Sequence, residues 1–267
     1  MWDMHMHSSF SGDSEAEQED MIKAAINQGL DGLCFTDHHD IDYPKEPDEP
    51  DFLIDFEKYF PAVRALREKY AGRINILCGI ELGLQKQVAM ENEAVVKEND
   101  FDFVIGSIHA VDGMDPYYGE YFKGRSEKES VRRYFEATLE NVKEFSEYDV
   151  LGHLDYMVRY MPGGAGEYNP NEYMEVIDEI FKIIIPKGKG IEINTSGFKA
   201  GLGFTNPHED ILKRYKELGG EIITTGADAH VPEYVGYKFS EAKSILAKAG
   251  FKRYCVFEKR QPKFYEI

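Results

Sequence analysis

Short apolar runs alternate with longer amphipathic segments along this chain. WDMHM, GLCFT, INILCGIEL, FDFVIGSI, DVLGHL, GIEIN, EIITTG and RYCVFE have the length and the β-branched, aromatic content of strands. Between them, SEAEQEDMIKAAINQG, LIDFEKYFPAVRALREKYAG, EKESVRRYFEATLENVKEFS, NEYMEVIDEIFKIII and HEDILKRYKELGG place apolar residues at helical spacing. The first of these opens with Ser14 and Glu17 at capping-box spacing and closes at Gly29, and Pro61 is a candidate kink in the second.

Repeated strand–helix alternation predicts an α/β fold with a parallel sheet and helices outside it. Seven such units fit a closed or nearly closed barrel better than a doubly wound sheet, and no glycine-rich nucleotide loop follows the first strand. PGGAGE, at 162–167, does not sit between a strand and a helix and reads as a loop. With no internal repeat, low-complexity tract or linker, residues 1–267 are expected to form one domain.

Charge narrows the function. The chain carries 49 acidic against 31 basic side chains, a formal −18, so a polyanion such as DNA would meet net repulsion. Cys34, Cys78 and Cys255 each lie in an apolar run and read as buried, reduced strand residues. No basic segment followed by an apolar run opens the chain, and no stretch approaches the ~20 apolar residues of a membrane helix. A cytoplasmic protein is expected.

The histidines supply the chemistry. His5 and His7 stand one residue apart on the first strand, facing the same side, and His38 and His39 follow the second. Glu81 sits near the end of the third, His109 ends the fourth, His153 the fifth, and Asp228 with His230 the seventh. In a parallel barrel these positions share one rim, where the loops after the strands build the active site. Seven of the eight histidines are expected there; His208, at a helix start, needs only a capping or surface role. Imidazoles with carboxylates and no thiolates suit zinc, iron or manganese. His5, His7, Asp13, His38, Glu81, His109, His153, Asp228 and His230 are more donors than one ion uses, so two or three divalent ions sharing a carboxylate are expected. Such ions generate a hydroxide at neutral pH and clamp a phosphoryl group.

The ordered set HMH, TDHH, GIE, SIH, GHLD and ADAH resembles the PHP (polymerase and histidinol phosphatase) family from Met1 to about Val231. The resemblance implies a distorted (β/α)7, TIM-like barrel with a trinuclear metal centre. It implies one ion on His5, His7, Glu81 and Asp228, a second sharing Glu81 with His109 and His153, and a third on Asp13, His38 and His230. Many members have histidine where this chain has Asp13, and the aspartate is similar to the histidinol-phosphatase branch. SIHAVDGMDPYYGEYF is similar to that branch's loop after the fourth strand, which makes Tyr117, Tyr118 and Glu120 candidate substrate contacts, with Glu120 facing an amine or imidazole. Packing of a long loop over the barrel explains the same residues. Arg159 matches a phosphate-binding arginine, and Lys199 stands where the family often has a second.

These readings imply a metal-dependent phosphomonoesterase acting on a small phosphate ester, histidinol phosphate, with metal-activated hydroxide attacking phosphorus and Arg159 and Lys199 holding its oxygens. The alternatives are a phosphodiesterase or exonuclease of the same family acting on nucleotides, an amidohydrolase barrel, and a non-catalytic metal-binding regulatory domain.

Overall fold

The computed structural model describes residues 1–45 and 50–267. Eight strands form one parallel sheet: β1 (Trp2–Asp3), β2 (Gly32–Phe35), β3 (His38–His39), β4 (Asn75–Gly83), β5 (Phe103–Ser107), β6 (Val150–Leu151), β7 (Gly190–Asn194) and β8 (Ile223–Gly226). β2 and β3 both pair with β4, on consecutive stretches of it, so they act as one interrupted strand and the sheet has seven staves. Met4 N–H donates to the Thr225 carbonyl, Asp228 N–H to His5 and His7 N–H to Ala229, which joins the first stave to the last and closes the barrel. The strands are buried on both faces, and their near-continuous apolar runs follow from that.

Helices α1 (Gln18–Asn27), α2 (Phe56–Lys69), α3 (Ala89–Glu98), α4 (Glu127–Glu144), α5 (Met174–Ile184), α6 (Ser196–Lys199), α7 (Glu209–Glu217) and α8 (Phe239–Lys248) connect the staves. The expected Ser14–Glu17 capping box does not form. α1 starts at Gln18 without a side-chain cap, and Ser14 Oγ instead donates to the His230 carbonyl at 2.9 Å. The capping box lies at α4, where Ser126 and Glu129 bond reciprocally. α2 runs through Pro61 unbroken. His208 does cap α7, its Nδ1 accepting from Asp210 N–H.

The chain ends in an antiparallel hairpin, β9 (Arg253–Glu258) and β10 (Gln261–Glu266). Lys259 and Arg260, both at positive φ, form its two-residue turn. The hairpin packs against the beginnings of strands. Phe257 stacks on Phe103, Cys255 Sγ donates to the Ile223 carbonyl, and Arg260 N–H donates to the Asp102 carbonyl. It closes the amino end of the barrel, and the three cysteines are free and buried. No helix among the described residues is long and apolar enough to cross a membrane.

Candidate metal centre

The carboxyl ends of the strands gather the polar side chains. Glu81 lies at the centre, fully buried. Its Oε2 is 3.2 Å from His5 Nε2, 3.5 Å from His7 Nε2 and 3.0 Å from His38 Nδ1. Oε1 lies 3.3 Å from His109 Nε2 and 2.9 Å from His153 Nε2. Asp228 Oδ1 is 3.4 Å from His7 Nε2 and 3.6 Å from His230 Nδ1. Asp13 Oδ2 spans His38 Nε2 at 3.5 Å and His230 Nε2 at 3.0 Å. All nine expected ligands are therefore brought together. Their groupings cross the expected partition, because His153 sits with His5 and Asp228, and His38 with Glu81 and His109.

His39 is the histidine that departs from the rim. Consecutive strand residues face opposite ways, so His39 turns from the site, accepts Ile54 N–H at Nδ1 and packs on Phe56. Burial pushes its pKa down to about 4. Six histidines, not seven, share the rim.

The outer partners of these imidazoles fix which nitrogen faces inward. His5 Nδ1 bonds the Glu192 carboxylate at 2.9 Å, and His109 Nδ1 bonds Asp40 Oδ2 at 2.6 Å. His230 Nδ1 lies 3.1 Å from the Asp228 carbonyl. His7 Nδ1 meets Ser11 Oγ, whose own proton goes to Asp37, so the histidine is the donor there. Each acceptor takes the Nδ1–H and leaves Nε2 as the nitrogen aimed into the ring. The Nε2 atoms of His5 and His7, His38 Nδ1 and Glu81 Oε2 are buried without a hydrogen-bond partner. Buried polar groups are normally satisfied, and a ring of orphaned ligand atoms around one carboxylate fits divalent ions.

Electrostatics agree. Burial alone would lower His5, His38 and His109, but the carboxylates facing them outweigh it and raise all three, His109 to about 10. Burial likewise opposes ionisation of Glu81 and Asp228, yet the surrounding cations hold both well below the carboxylate range. Asp228 takes a positive φ of 53°, a conformation aspartate tolerates in a constrained turn.

Beside the ring lies a cavity of about 110 Å³, walled in part by Tyr43, Asp115, Tyr156, Arg159 and Tyr160. The Arg159 side chain is only 10% exposed: its Nε donates to Asn206 Oδ1, Nη2 to Ser196 Oγ and Nη1 to Asp228 Oδ2. Lys199 lines an adjoining space of about 500 Å³ that shares Arg159, Asp13 and His230, and its ammonium lies 4.5 Å from the Tyr234 ring centre. Tyr117 is exposed and packs edge-on against Tyr118 and Tyr160. Glu120 stays at the surface, paired with Lys123 at 2.5 Å, because the turn at Gly119 carries it away from the cavity. The loop's acid in the cavity wall is Asp115, which accepts the Tyr43 hydroxyl and Tyr117 N–H.

Sequence reasoning missed Asp115, Asp37, Asp40, Ser107 and Glu192. Ser107 Oγ donates to Glu81 Oε1 at 2.5 Å. The signal available was an acid or hydroxyl inside an otherwise apolar strand or directly flanking a ligand, as in TDHHD, GSIH and GIEIN.

Known proteins resemble the whole arrangement. The PHP domain family profile matches residues 3–196. A histidinol-phosphatase of Lactococcus lactis is 33% identical over 96% of this chain and 93% of its own length. A probable histidinol-phosphatase of Clostridium acetobutylicum is 33% identical over 99% of both. The crystal structure of the Lactococcus histidinol phosphate phosphatase with zinc, L-histidinol and phosphate superposes with a TM-score of 0.91 at 32% identity, covering 98% of each chain. A putative histidinol phosphatase of Listeria monocytogenes shares the fold, with a TM-score of 0.79 at 18% identity. This chain belongs to the PHP domain family.

Proposed function

We propose that this protein is a metal-dependent phosphomonoesterase that hydrolyses histidinol phosphate, with zinc, manganese or iron as its ions and the cytoplasm as its compartment. The observation that carries the reading is Glu81, a buried carboxylate whose two oxygens face separate sets of imidazoles. That is what a carboxylate shared between ions requires. Full-length similarity to a phosphatase whose structure holds zinc, L-histidinol and phosphate supports the substrate.

Divalent ions here would make a nucleophile available at neutral pH and neutralise phosphoryl charge. The chain supplies the rest. His5, His7, Asp13, His38, Glu81, His109, His153, Asp228 and His230 would hold the ions, with Glu81 shared between them. Arg159, fixed by Asn206 and Ser196, presents a pre-oriented guanidinium to non-bridging phosphate oxygens, where it is worth most as charge shifts in the transition state. Lys199 adds charge without the fork. Asp115, braced by Tyr43, suits the cationic end of the substrate, with Tyr156 and Tyr160 as flat apolar walls. Aspartates at D-x-D spacing occur in DIDY and DFDFV, but Asp40 is bonded to His109 Nδ1 and Asp102 to Arg67 at the opposite end of the barrel.

Phosphate release from histidinol phosphate, a mononucleotide and single-stranded DNA, measured side by side on metal-loaded protein, tests the reading. Histidinol phosphate should lead by a clear margin; faster turnover of the mononucleotide or the DNA would transfer the protein to the nucleotide-directed alternative.

A further inference from the structure

One stave of the barrel contributes nothing to the ring. β1, the β2–β3 stave, β4, β5, β6 and β8 each lead into a candidate ligand, whereas β7 carries only Glu192 and Asn194 on its inward face. Both are buried, at 1% and 0% exposure, in the strand GIEIN. A carboxylate inside an apolar strand is costly unless something there needs it.

The Glu192 carboxylate touches three staves. It accepts His5 Nδ1–H from β1, with Oε2 at 2.9 Å and Oε1 at 3.1 Å. Oε1 also accepts His153 N–H, just past β6, at 2.8 Å, and Asn194 Nδ2–H from its own strand at 2.8 Å. Asn194 Nδ2 reaches on to Asp228 Oδ2 at 3.4 Å, and its Oδ1 accepts Ser196 N–H and Oγ–H. The approach depends on Gly226 of the neighbouring stave. A Cβ there would fall 2.5 Å from His5 Cβ and 2.7 Å from Glu192 Oε2.

We infer that β7 is the positioning stave of the centre: Glu192, steadied by Asn194, holds His5 in the Nδ1–H form with Nε2 free for an ion and ties the His153 backbone to the same point. The inference rests on the metal-centre reading above. Glu192 is a positioning residue, acting through His5 rather than on substrate, and outer partners of this kind are worth about 10–100-fold in metal affinity.

Glu192→Gln is nearly isosteric and isolates the effect. Its amide oxygen can still accept from His153 N–H, but its NH2 group facing His5 makes Nδ1 the acceptor and moves the imidazole proton to Nε2, where it blocks the ligand atom. Zinc affinity should be measured on purified protein by competition with a chromophoric chelator, alongside the melting temperature of the metal-free protein. The expected result is zinc binding weakened about 10–100-fold in Glu192→Gln, with the metal-free protein folded. On a His5→Ala background the same change should add little, because the group it acts through is gone. Asn194→Ala, which loosens Glu192 without changing its charge, should weaken the same zinc step by a smaller factor, and it decides the matter if Glu192→Gln does not fold. Unchanged zinc affinity in the folded variants overturns the inference, as does an equal loss with and without His5. If the wild-type protein itself takes up no zinc, manganese or iron, the metal-centre reading fails instead.

Discussion

At the amino end of the barrel, the Asp102 carboxylate accepts from the Arg67 guanidinium at 2.6 Å, from Cys78 N–H and from Lys259 N–H. At the carboxyl end, Glu81 meets five imidazoles and, among the described residues, no arginine or lysine. Asp149 repeats the first pattern with Arg260 and Val104 N–H, and Asp228 stands between the two, facing three imidazoles and the Arg159 guanidinium. A carboxylate satisfied by a permanent cation and backbone donors is finished by the chain itself. One facing imidazoles is not, because each imidazole must first take a proton or share an ion. The floor is a closed electrostatic structure, and the rim is an open one that protons or metals complete.

Glu81→Ala should break the comparison hardest. Removing the shared carboxylate takes a ligand from two ion positions at once, and phosphatase activity should fall by at least ~10³-fold, with bound metal falling together. The metal-free variant should still fold, since the barrel is held by its ladders and apolar core rather than by the ring. Metal analysis with kcat on one preparation checks this. A variant that keeps its full metal content would remove Glu81 from the shared position.

Asp115→Asn sharpens the comparison within the rim. If Asp115 serves the substrate's cationic end, KM for histidinol phosphate should rise by about 10-fold or more, from loss of a charged hydrogen bond. Hydrolysis of p-nitrophenyl phosphate, which has no cation, should be nearly unchanged. Equal effects on both substrates would make Asp115 a brace for Tyr43 alone.

The rim was far more legible than the floor. Strand ends attract ligands by a positional rule, so HMH, TDHH, SIH, GHLD and ADAH fall on one rim by sequence alone, and all nine proposed ligands meet there. Two failures there have local causes. The two-residue period of a strand turns His39 outward from its neighbour, and Glu120 faces away while Asp115 lines the cavity, because sequence does not say which acid a turn points inward. The floor was mostly invisible. QPKFYE has a proline and no clear alternation, and its turn, Lys259–Arg260, lacks the Asn-Gly signal of such hairpins. The turn is held by Asp102 and Asp149, which lie far away in sequence, and a single sequence does not display such pairings.

Those pairings make the next prediction. Asp102→Ala strips the floor of a carboxylate that satisfies two backbone N–H groups and Arg67. With Arg67 about half exposed, the loss should be about 1–3 kcal/mol of folding stability, seen as a lower denaturant midpoint. The kcat and KM of the folded, metal-loaded variant should stay at wild-type values. A selective loss of activity would mean that the two ends are coupled.

The smallest effect is the most direct reading of open against closed. In metal-free protein His109 is raised from its ordinary 6.5 to about 10: burial opposes the charge, and Asp40 and Glu81 more than restore it. A histidine raised on folding adds stability that is fully present below the unfolded value and lost as pH climbs through the folded one. Chelator-treated protein should therefore become progressively less stable from about pH 6.5 to about pH 10. The histidines lowered by burial, His7 and His153, act below that window. Zinc-loaded protein should show a flatter profile, because ligand nitrogens on an ion have no proton to lose. The floor pairs, built on guanidinium groups that stay charged throughout, add no slope of their own. Melting temperatures at half-unit pH intervals, with and without zinc, decide it: parallel profiles would mean that protons do not stand in for metal at the rim.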